Sequence, residues 1–246
     1  MLSRRLAVQL SAKGVMGLMA AAPVLGGCLR KPQGRLRESP GSQATGAASN
    51  LGTVDWGRFI EELAELAEKQ FSGAWDQEVH VTDVESLMRL LDLDDRRFAD
   101  IYDGYVNAHG LFPEIRSAHD GGSFSVATIE FDAGDEIALH NHPDMTGVIL
   151  CLSGAVEIES FDLLPDVGPD GKLRLQQVDQ LRLTAGEFST LTGRRGNIHG
   201  LVATEFTELL DVFTPPYAGE RKKRFKWYER ATEPLPGTNT FEAWER

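Results

Sequence analysis

Residues Gly134 to Gly154 read GDEIALHNHPDMTGVILCLSG, and this stretch decides the fold of the chain. At its centre, one residue separates His140 from His142. In a β-strand this spacing places both side chains on one face of the sheet, about 7 Å apart along the strand. Two imidazoles so placed can share one metal ion. A solvated pair, or a pair satisfied within the core, would show the same spacing.

The residues around this pair follow a wider pattern. Spaced glycines flank the two histidines, and a third histidine arrives later, in the predicted turn Gly196-Asn197-Ile198-His199. This layout resembles that of the cupins. Their first motif is met at Gly134, His140, His142, Gly147 and Gly154, and Gly186 to His199 resembles their second motif. The resemblance implies a mainly β fold, the cupin double-stranded β-helix or jelly-roll barrel, with a metal ion in its mouth.

One position departs from the usual cupin pattern. Most cupins carry a metal-binding Glu where this chain has Gly147. Three neutral imidazoles without a carboxylate leave a divalent ion with its full charge and with three open positions. Such a site favours anionic ligands, and a thiolate is one of the best of them.

Composition limits the classes of function. The chain has 246 residues, of which 41% are hydrophobic, so one strand-rich domain with a sizeable core is expected. A formal net charge of −12 makes nucleic acid an unfavourable partner. Cys28 and Cys151 cannot form a disulfide framework, and Cys151 lies in an apolar run where it is expected to be a small core residue.

The N-terminal segment predicts export. Residues 1–27 have a basic head and a short apolar stretch, which is typical of a signal peptide. The tetrapeptide Leu25-Gly26-Gly27-Cys28 resembles a bacterial lipobox and implies lipidation of Cys28, although an ordinary secretory signal or a chance cysteine would also fit. Ser3-Arg4-Arg5 resembles a twin-arginine signal. Residues 28–52 are predicted to be a flexible tether. We therefore expect a protein attached to the bacterial cell envelope through a lipid anchor, on its periplasmic or outer-membrane face.

Residues 53–246 are predicted to form a single cupin domain with an N-terminal helical extension packed outside the barrel. Apolar residues recur at helical spacing from Phe59 to Phe71. Thr82 to Glu85 resembles a capping box that would open a second helix. Three further histidines fall outside any ligand spacing and are expected on the surface or in loops: His80, His109 and His119.

Strand patterns begin at Ser123. Alternating or β-branched residues predict strands over 123–131, 155–160, 173–183 and 201–213. The basic run Arg221 to Lys226 is predicted to be a solvated strand or hairpin. It could also contact phospholipid heads or attract an anionic substrate.

Three segments resemble a particular family, that of the plant cysteine oxidases and 2-aminoethanethiol (cysteamine) dioxygenases. They are Leu139-His140-Asn141-His142-Pro143-x-Met145, Asn197-Ile198-His199 and Leu210-Asp211-Val212-x-x-Pro215-Pro216-Tyr217. Gly147 agrees with this family. Asp144 departs from it, since the family usually has Gly there.

The resemblance implies an Fe(II) centre held by His140, His142 and His199. A thiol would bind as thiolate, O2 would take a further open site, and both oxygen atoms would end on sulfur as a sulfinate. The family's acid and aromatic residues near the metal correspond to Asp211 and Tyr217. Asp211 could accept a hydrogen bond from a ligand imidazole, hold the amine of an aminothiol, or bond to backbone at a strand end. Tyr217 could donate to bound oxygen or sulfur, or pack in a loop.

Other functions remain open at this point. Asp144 could approach the ion or its entry channel, or be a solvated turn residue. The expected partners are O2 and a small aminothiol or a peptide with an N-terminal cysteine, and the expected state is a monomer. A different cupin enzyme with Ni, Mn, Cu or Zn and a non-thiol substrate is one alternative, and a non-catalytic cupin that binds a metal or ligand is another.

Overall fold

The computed structural model describes residues 53–95, 114–168 and 171–246. The predicted signal peptide, the lipidation at Cys28, the tether and His109 lie outside these ranges. Within them, no helix has both the length and the apolar character needed to cross a membrane.

Two helices precede the strands. α1 spans Trp56–Glu68 and continues as a 3-10 turn over Lys69–Phe71, as the apolar spacing predicts. Asp55 begins α1 because its carboxylate accepts a hydrogen bond from the backbone N–H of Arg58 at 3.0 Å. The inner face of α1 buries an apolar stripe that consists of Trp56, Phe59, Leu63 and Ala67.

The second helix begins earlier than the sequence predicts. α2 spans Gln77–Met88, and Asp76 caps it by accepting hydrogen bonds from the N–H groups of Glu78 and Val79. The predicted capping box at Thr82 is wrong. Thr82 lies within the helix, where its hydroxyl donates to the carbonyl of Glu78 at 2.9 Å.

The strands form two antiparallel sheets, and the fold is the predicted mainly β cupin barrel. The five-stranded sheet has the order β1-β2-β9-β4-β7, and the six-stranded sheet has the order β10-β11-β6-β5-β8-β3. The strands are β1 (Glu114–Asp120), β2 (Ser125–Phe131), β3 (Glu136–Asn141), β4 (Thr146–Ser153), β5 (Ala155–Leu163), β6 (Leu173–Thr184), β7 (Phe188–Leu191), β8 (Ile198–Ala203), β9 (Thr207–Thr214), β10 (Tyr228–Arg230) and β11 (Thr240–Glu245). A short helix α3 (Glu220–Arg224) precedes β10.

Burial along β4 and β5 explains their sequences. In β5, Val156 and Ile158 are buried while Glu157 is exposed, so this strand has one dry and one wet face. In β4 both faces are covered. Val148 and Leu150 pack in the cluster that contains α1 and α2, whereas Ile149 packs in the cluster inside the barrel. The continuous apolar run of β4 therefore follows from its position between the helices and the barrel interior.

The turn glycine at the end of the first motif is required by sterics. Gly154 has φ of 76°, and a Cβ added there would lie 2.0 Å from the carbonyl oxygen of Phe206. No other residue fits this position without movement of the backbone. The turn at Gly154 joins β4 to β5, so it connects the two sheets of the barrel.

Two further predictions concern buried side chains. Cys151 is fully buried in the barrel core, where burial raises the pKa of its thiol to about 11. His80 is also buried, with 3% of its surface exposed, so its predicted surface position is wrong. His119 lies on β1, half-buried, with its ring stacked on Phe124 at 4.7 Å between centroids.

Candidate metal centre

Strand pairing brings the three predicted metal ligands together. His140 lies near the end of β3, and His142 follows one residue after that strand. His199 lies on β8 and is the Cα partner of His140 in the β3–β8 ladder. The sequence predicted a turn at His199, and the structure places it on a strand instead. Adjacent antiparallel strands thus bring residues 57 or more positions apart to one point.

The three imidazoles face a common point. The Nε2 atoms of His142 and His199 are 3.0 Å apart, and one nitrogen from each of the three rings lies within 4.8 Å of the others. All three rings are buried. In the part of the chain that the structure describes, no carboxylate or thiol joins this group. Three converging, buried nitrogen donors fit a first-row divalent metal ion.

Hydrogen bonds on the outer ring nitrogens set the orientation of two ligands. Nδ1 of His140 lies 2.8 Å from the carbonyl oxygen of Ala138, which can only accept, so Nδ1 carries the proton and Nε2 is free for a metal. Nδ1 of His142 lies 2.5 Å from the hydroxyl of Tyr217. Each of these two contacts leaves Nε2 directed towards the shared point.

Asn197 fixes the backbone of His142. Its side-chain amide donates to the carbonyl of His142 at 2.8 Å, and its carbonyl oxygen accepts from the N–H of His142 at 3.2 Å. This pair of bonds joins the segment after β3 to the segment before β8. The Asn-Ile-His run quoted above contains this residue, but sequence reasoning assigned no role to it, because the bonds depend on the packing of distant segments.

Burial keeps the ligands in the form that binds metals. Burial lowers the pKa of His140 to about 4 and lowers the pKa values of His142 and His199 well below 6.5. The neighbouring imidazoles lower the pKa values of His142 and His199 further. All three rings are therefore neutral at pH 7, as metal coordination requires.

Gly147 leaves no room for the acid that most cupins have. A Cβ added there would lie 3.1 Å from Cγ of Leu191 and 3.1 Å from Cε1 of Phe213. Contacts this close already require the neighbours to shift for a single carbon atom. The longer side chain of Glu at this position would need a larger rearrangement of Leu191 and Phe213.

A cavity of about 430 Å³ opens in front of the three imidazoles. Aliphatic and aromatic side chains form most of its wall, and its charged members outside the ligand set are Asp120, Asp211 and Lys222. The ring of Phe213 stacks on His142 at 5.0 Å between centroids, and the ring of Trp227 lies 5.2 Å from that of His140. An apolar wall next to the ligands limits the access of water to the site.

Asp211 lies in this cavity as an under-satisfied carboxylate. It occupies the middle of β9, is 3% exposed, and its Oδ1 has no hydrogen-bond partner among the described residues. The structure thus gives no hydrogen bond from a ligand imidazole to Oδ1, which was one of the predicted roles. Burial raises the pKa of Asp211 well above 3.8, and a hydrogen bond from the N–H of Val212 opposes this shift.

Tyr217 faces the back of a ligand ring. Its hydroxyl contacts Nδ1 of His142 and lies 3.2 Å from the carbonyl oxygen of Asn141. Since a carbonyl can only accept, the hydroxyl donates to Asn141 and accepts from Nδ1–H of His142. Plain loop packing is therefore not the whole role of Tyr217.

Asp144, which departs from the family pattern, contacts the basic run of residues 221–226. Asp144 lies in a turn with φ of 53°, is exposed, and forms an ion pair of 2.5 Å with Arg224. Arg224 belongs to α3, so the prediction of a strand or hairpin for residues 221–226 is wrong. The negative charge of Asp144 is thus paired with the positive charge of Arg224 in the basic run.

Two curated proteins are similar to part of this chain. Plant cysteine oxidase 2 of Arabidopsis thaliana is 31% identical over 109 residues, which cover 43% of this chain and 40% of that protein. Plant cysteine oxidase 1 of the same organism is 31% identical over 114 residues, which cover 45% of this chain and 39% of that protein. The chain thus spans less than half the length of the curated relatives it matches.

Solved structures with a similar fold include a cupin superfamily protein from Desulfitobacterium hafniense. It is 12% identical, has a TM-score of 0.33, and the match covers 45% of this chain and 84% of that protein. The PCO_ADO family matches residues 114–244, just over half of the chain. The chain belongs to the family of plant cysteine oxidases and 2-aminoethanethiol dioxygenases (PCO_ADO).

Proposed function

We propose that this protein is an Fe(II)-dependent thiol dioxygenase, which adds both atoms of O2 to the sulfur of a small aminothiol or of an N-terminal cysteine and yields a sulfinic acid. The observation that carries the proposal is the set of three buried imidazoles at the base of a 430 Å³ cavity, which no carboxylate of the described residues joins as a further ligand. The family of the chain supports the same chemistry.

The donor set fits iron and leaves coordination positions open. His140, His142 and His199 would hold the ion through nitrogen. When bound, the iron would supply Lewis acidity that favours the thiolate form of the substrate, together with the redox chemistry needed to combine thiol and O2. Because the three ligands are neutral, they leave the whole charge of the ion available to an anionic sulfur ligand.

Asp211 would bind the substrate or exchange a proton with it. Asp211 offers an oxygen that has no hydrogen-bond partner among the described residues, in the same cavity as the three imidazoles. A substrate amine would satisfy that oxygen, or the carboxyl group would exchange a proton with the arriving thiol. Each role relieves the cost of a buried, unpaired polar atom.

Tyr217 and Asn197 are positioning residues in this proposal. Tyr217 holds the ring of His142 through Nδ1, and Asn197 holds the backbone of the same residue on both its N–H and its carbonyl. These contacts keep Nε2 of His142 directed at the ion. The prediction that Tyr217 donates to bound oxygen or sulfur stays a prediction. In the structure, its hydroxyl proton is directed to the carbonyl oxygen of Asn141.

The location of the protein is a separate part of the proposal. The lipobox-like tetrapeptide ending at Cys28 and the basic head of residues 1–27 support export and lipid anchoring at the cell envelope. Mass spectrometry of the protein from a bacterial host tests this. A mature chain that begins at a diacylated Cys28 is expected, and an unmodified Cys28 would contradict it. We also propose a monomer, which light scattering of residues 53–246 would check.

Oxygen uptake tests the reaction itself. The iron-loaded protein should consume O2 with cysteamine, cysteine or a peptide with an N-terminal cysteine, and the product should be about 32 Da heavier than the thiol. The same compounds with the thiol replaced by a hydroxyl serve as controls and should give no uptake. Absence of uptake across all three classes of thiol would overturn the proposal.

A further inference from the structure

Most of the basic residues beside the cavity are neutralised by carboxylates. Residues 221–226 contain five basic side chains. Three of them form ion pairs, namely Lys223 with Glu220 at 2.6 Å, Arg224 with Asp144 at 2.5 Å and Lys226 with Glu245 at 3.0 Å. The charge of these three is therefore not available to a ligand.

The structure shows no ion pair with a described residue for the other two, Arg221 and Lys222, and of these two only Lys222 lines the cavity. It is exposed, it lines the cavity in front of the metal ligands, and no carboxylate pairs with it within the described ranges. The other charged groups of the cavity outside the ligand set are both acidic. Asp120 is exposed and Asp211 is buried. Lys222 thus provides the one positive side-chain charge among the described lining residues other than histidine.

The cavity is large enough for a substrate bound at the three imidazoles to extend to Lys222. Pockets that enclose drug-sized ligands have volumes of about 300–1,000 Å³. The volume here is about 430 Å³, which is more than a two-carbon aminothiol fills. A substrate that fills the cavity must therefore place atoms beyond its thiol against the walls, and one of those walls includes Lys222.

We propose that Lys222 is a specificity-determining residue that selects thiols bearing a carboxylate. This inference rests on the proposed function, because it assumes that sulfur binds at the three imidazoles. The formal charge of the chain is −12, so its long-range field disfavours anionic substrates. The ammonium group of Lys222 at the cavity wall offsets that field at the place where the carboxylate of a substrate would bind.

Anaerobic calorimetry on the full-length, iron-loaded protein tests the inference without turnover. Cysteine and cysteine methyl ester differ only in the carboxylate. If the carboxylate belongs to a small thiol acid, Lys222→Gln should weaken the binding of cysteine roughly threefold to fivefold, the upper end of what an exposed ion pair provides, and should not weaken binding of the ester. Lys223→Gln removes the same charge one residue away, outside the cavity lining, and should leave both affinities unchanged.

A second pair of ligands distinguishes whether the carboxylate that Lys222 contacts belongs to a small thiol acid or to a peptide. Cys-Gly-Glu and Cys-Gly-Gln, both with amidated C-termini, place or omit a carboxylate on a side chain of a peptide. If Lys222→Gln weakens the acidic peptide and not cysteine, the source is a peptide, and the opposite pattern identifies a small thiol acid. Equal effects of Lys222→Gln on charged and uncharged ligands, or no effect on any of them, would overturn the inference.

Turnover separates failure of this inference from failure of the proposed function. With cysteine as substrate, Lys222→Gln should raise KM by the factor seen in calorimetry and leave kcat unchanged. Addition of 1 M salt should remove most of the difference, because salt screens exposed charges. If the wild type consumes no O2 with any thiol, the proposed function fails, and calorimetry still decides whether Lys222 reads a carboxylate.

Discussion

The hydroxyl of Tyr217 accepts a hydrogen bond of 2.5 Å from Nδ1 of His142. Tyr217 follows β9, whereas His142 follows β3, so this contact connects the two sheets at the metal centre. Because this hydroxyl donates to the carbonyl oxygen of Asn141, it accepts from Nδ1–H of His142. The tautomer so selected leaves Nε2 free, and Nε2 is the atom that lies 3.0 Å from Nε2 of His199. The position of the Tyr217 hydroxyl therefore determines whether His142 adopts the tautomer that binds a metal.

Tyr217→Phe tests this coupling. The variant keeps the ring and its packing but removes the acceptor from Nδ1 of His142. Loss of such a partner lowers metal affinity about 10-fold to 100-fold, and a competition titration against a chelator measures it. Tyr228→Phe is the matched control, since Tyr228 is buried on β10 and does not line the cavity. Equal affinity of Tyr217→Phe and wild type would show that the hydrogen bond does not orient the ligand.

Asp211→Asn separates binding of the metal from chemistry. The substitution preserves the shape of a side chain whose Oδ1 has no hydrogen-bond partner in the part of the chain that the structure describes. We expect kcat to fall about 100-fold or more, the scale of acid–base contributions, while the iron content of the purified variant stays the same. Metal analysis and steady-state oxygen uptake measure the two quantities. Wild-type kcat in this variant would remove Asp211 from the mechanism, and loss of iron would instead assign it to metal binding.

Two glycines with similar backbone angles isolate a steric effect. Gly154 and Gly186 both have positive φ, of 76° and 85°, so alanine brings similar backbone strain to each. A Cβ at Gly154 would also lie 2.0 Å from the oxygen of Phe206, whereas nothing lies within 4 Å of one at Gly186.

Chemical denaturation should therefore separate the two alanine variants. Gly186→Ala should lower the free energy of unfolding by about 1–2 kcal/mol, the usual cost of a left-handed non-glycine residue. Gly154→Ala should lower it by a further 1–3 kcal/mol or more, as overpacking does. Equal losses would show that the backbone at Gly154 moves freely.

His80 predicts a pH dependence of stability. Burial lowers the pKa of His80 to about 4, against an ordinary value of 6.5. As pH falls, His80 therefore takes up a proton in the unfolded chain before it does so in the folded protein. The stability that comes from keeping His80 neutral in the folded state is complete above pH 6.5 and declines between pH 6.5 and pH 4. From these two values, about 2 kcal/mol is lost between pH 7.5 and pH 5.

The variant His80→Phe isolates that contribution, because the buried metal ligands also titrate in the same direction. Free energies of unfolding of the metal-free proteins should be compared at pH 7.5 and pH 5. The wild type should lose about 2 kcal/mol more than His80→Phe over this range. If both proteins lose the same amount, His80 is not held neutral by its surroundings in the folded state.

The local spacing of residues predicts the centre of this fold well. The separation of His140 from His142, the glycines of the first motif and the absence of Glu at position 147 are all properties of one short segment. The strand alternation of β5 is similarly local. These features follow from sequence because sterics and strand geometry act over a few residues.

The sequence did not predict one local feature, the start of α2, or the contacts that depend on distant packing. Asp76, and not Thr82, begins α2, so His80 falls one helical turn before Val84 on the buried face and is not in a preceding loop. One wrong helix start thus explains the wrong position of His80. The directions of Tyr217 and Asn197 depend on contacts that cross 75 and 55 positions of sequence, and no local pattern encodes them.

Metal content gives a further test of the three-imidazole centre. His199→Ala should lose most of its iron when purified under the same conditions as wild type, since two nitrogen ligands remain of three. His119→Ala, on β1, should retain wild-type iron content. Atomic emission analysis provides the measurement. Retention of iron by His199→Ala would place the metal elsewhere, and a different metal in the wild type would favour another cupin enzyme over the thiol dioxygenase.

Oxygen-isotope labelling of the product tests the central claim most directly. Under ¹⁸O₂, the iron-loaded protein should convert its thiol substrate into a sulfinic acid in which both oxygen atoms are ¹⁸O. A product with one labelled atom, a disulfide, or unchanged thiol would contradict the assignment of these three imidazoles to a thiol dioxygenase.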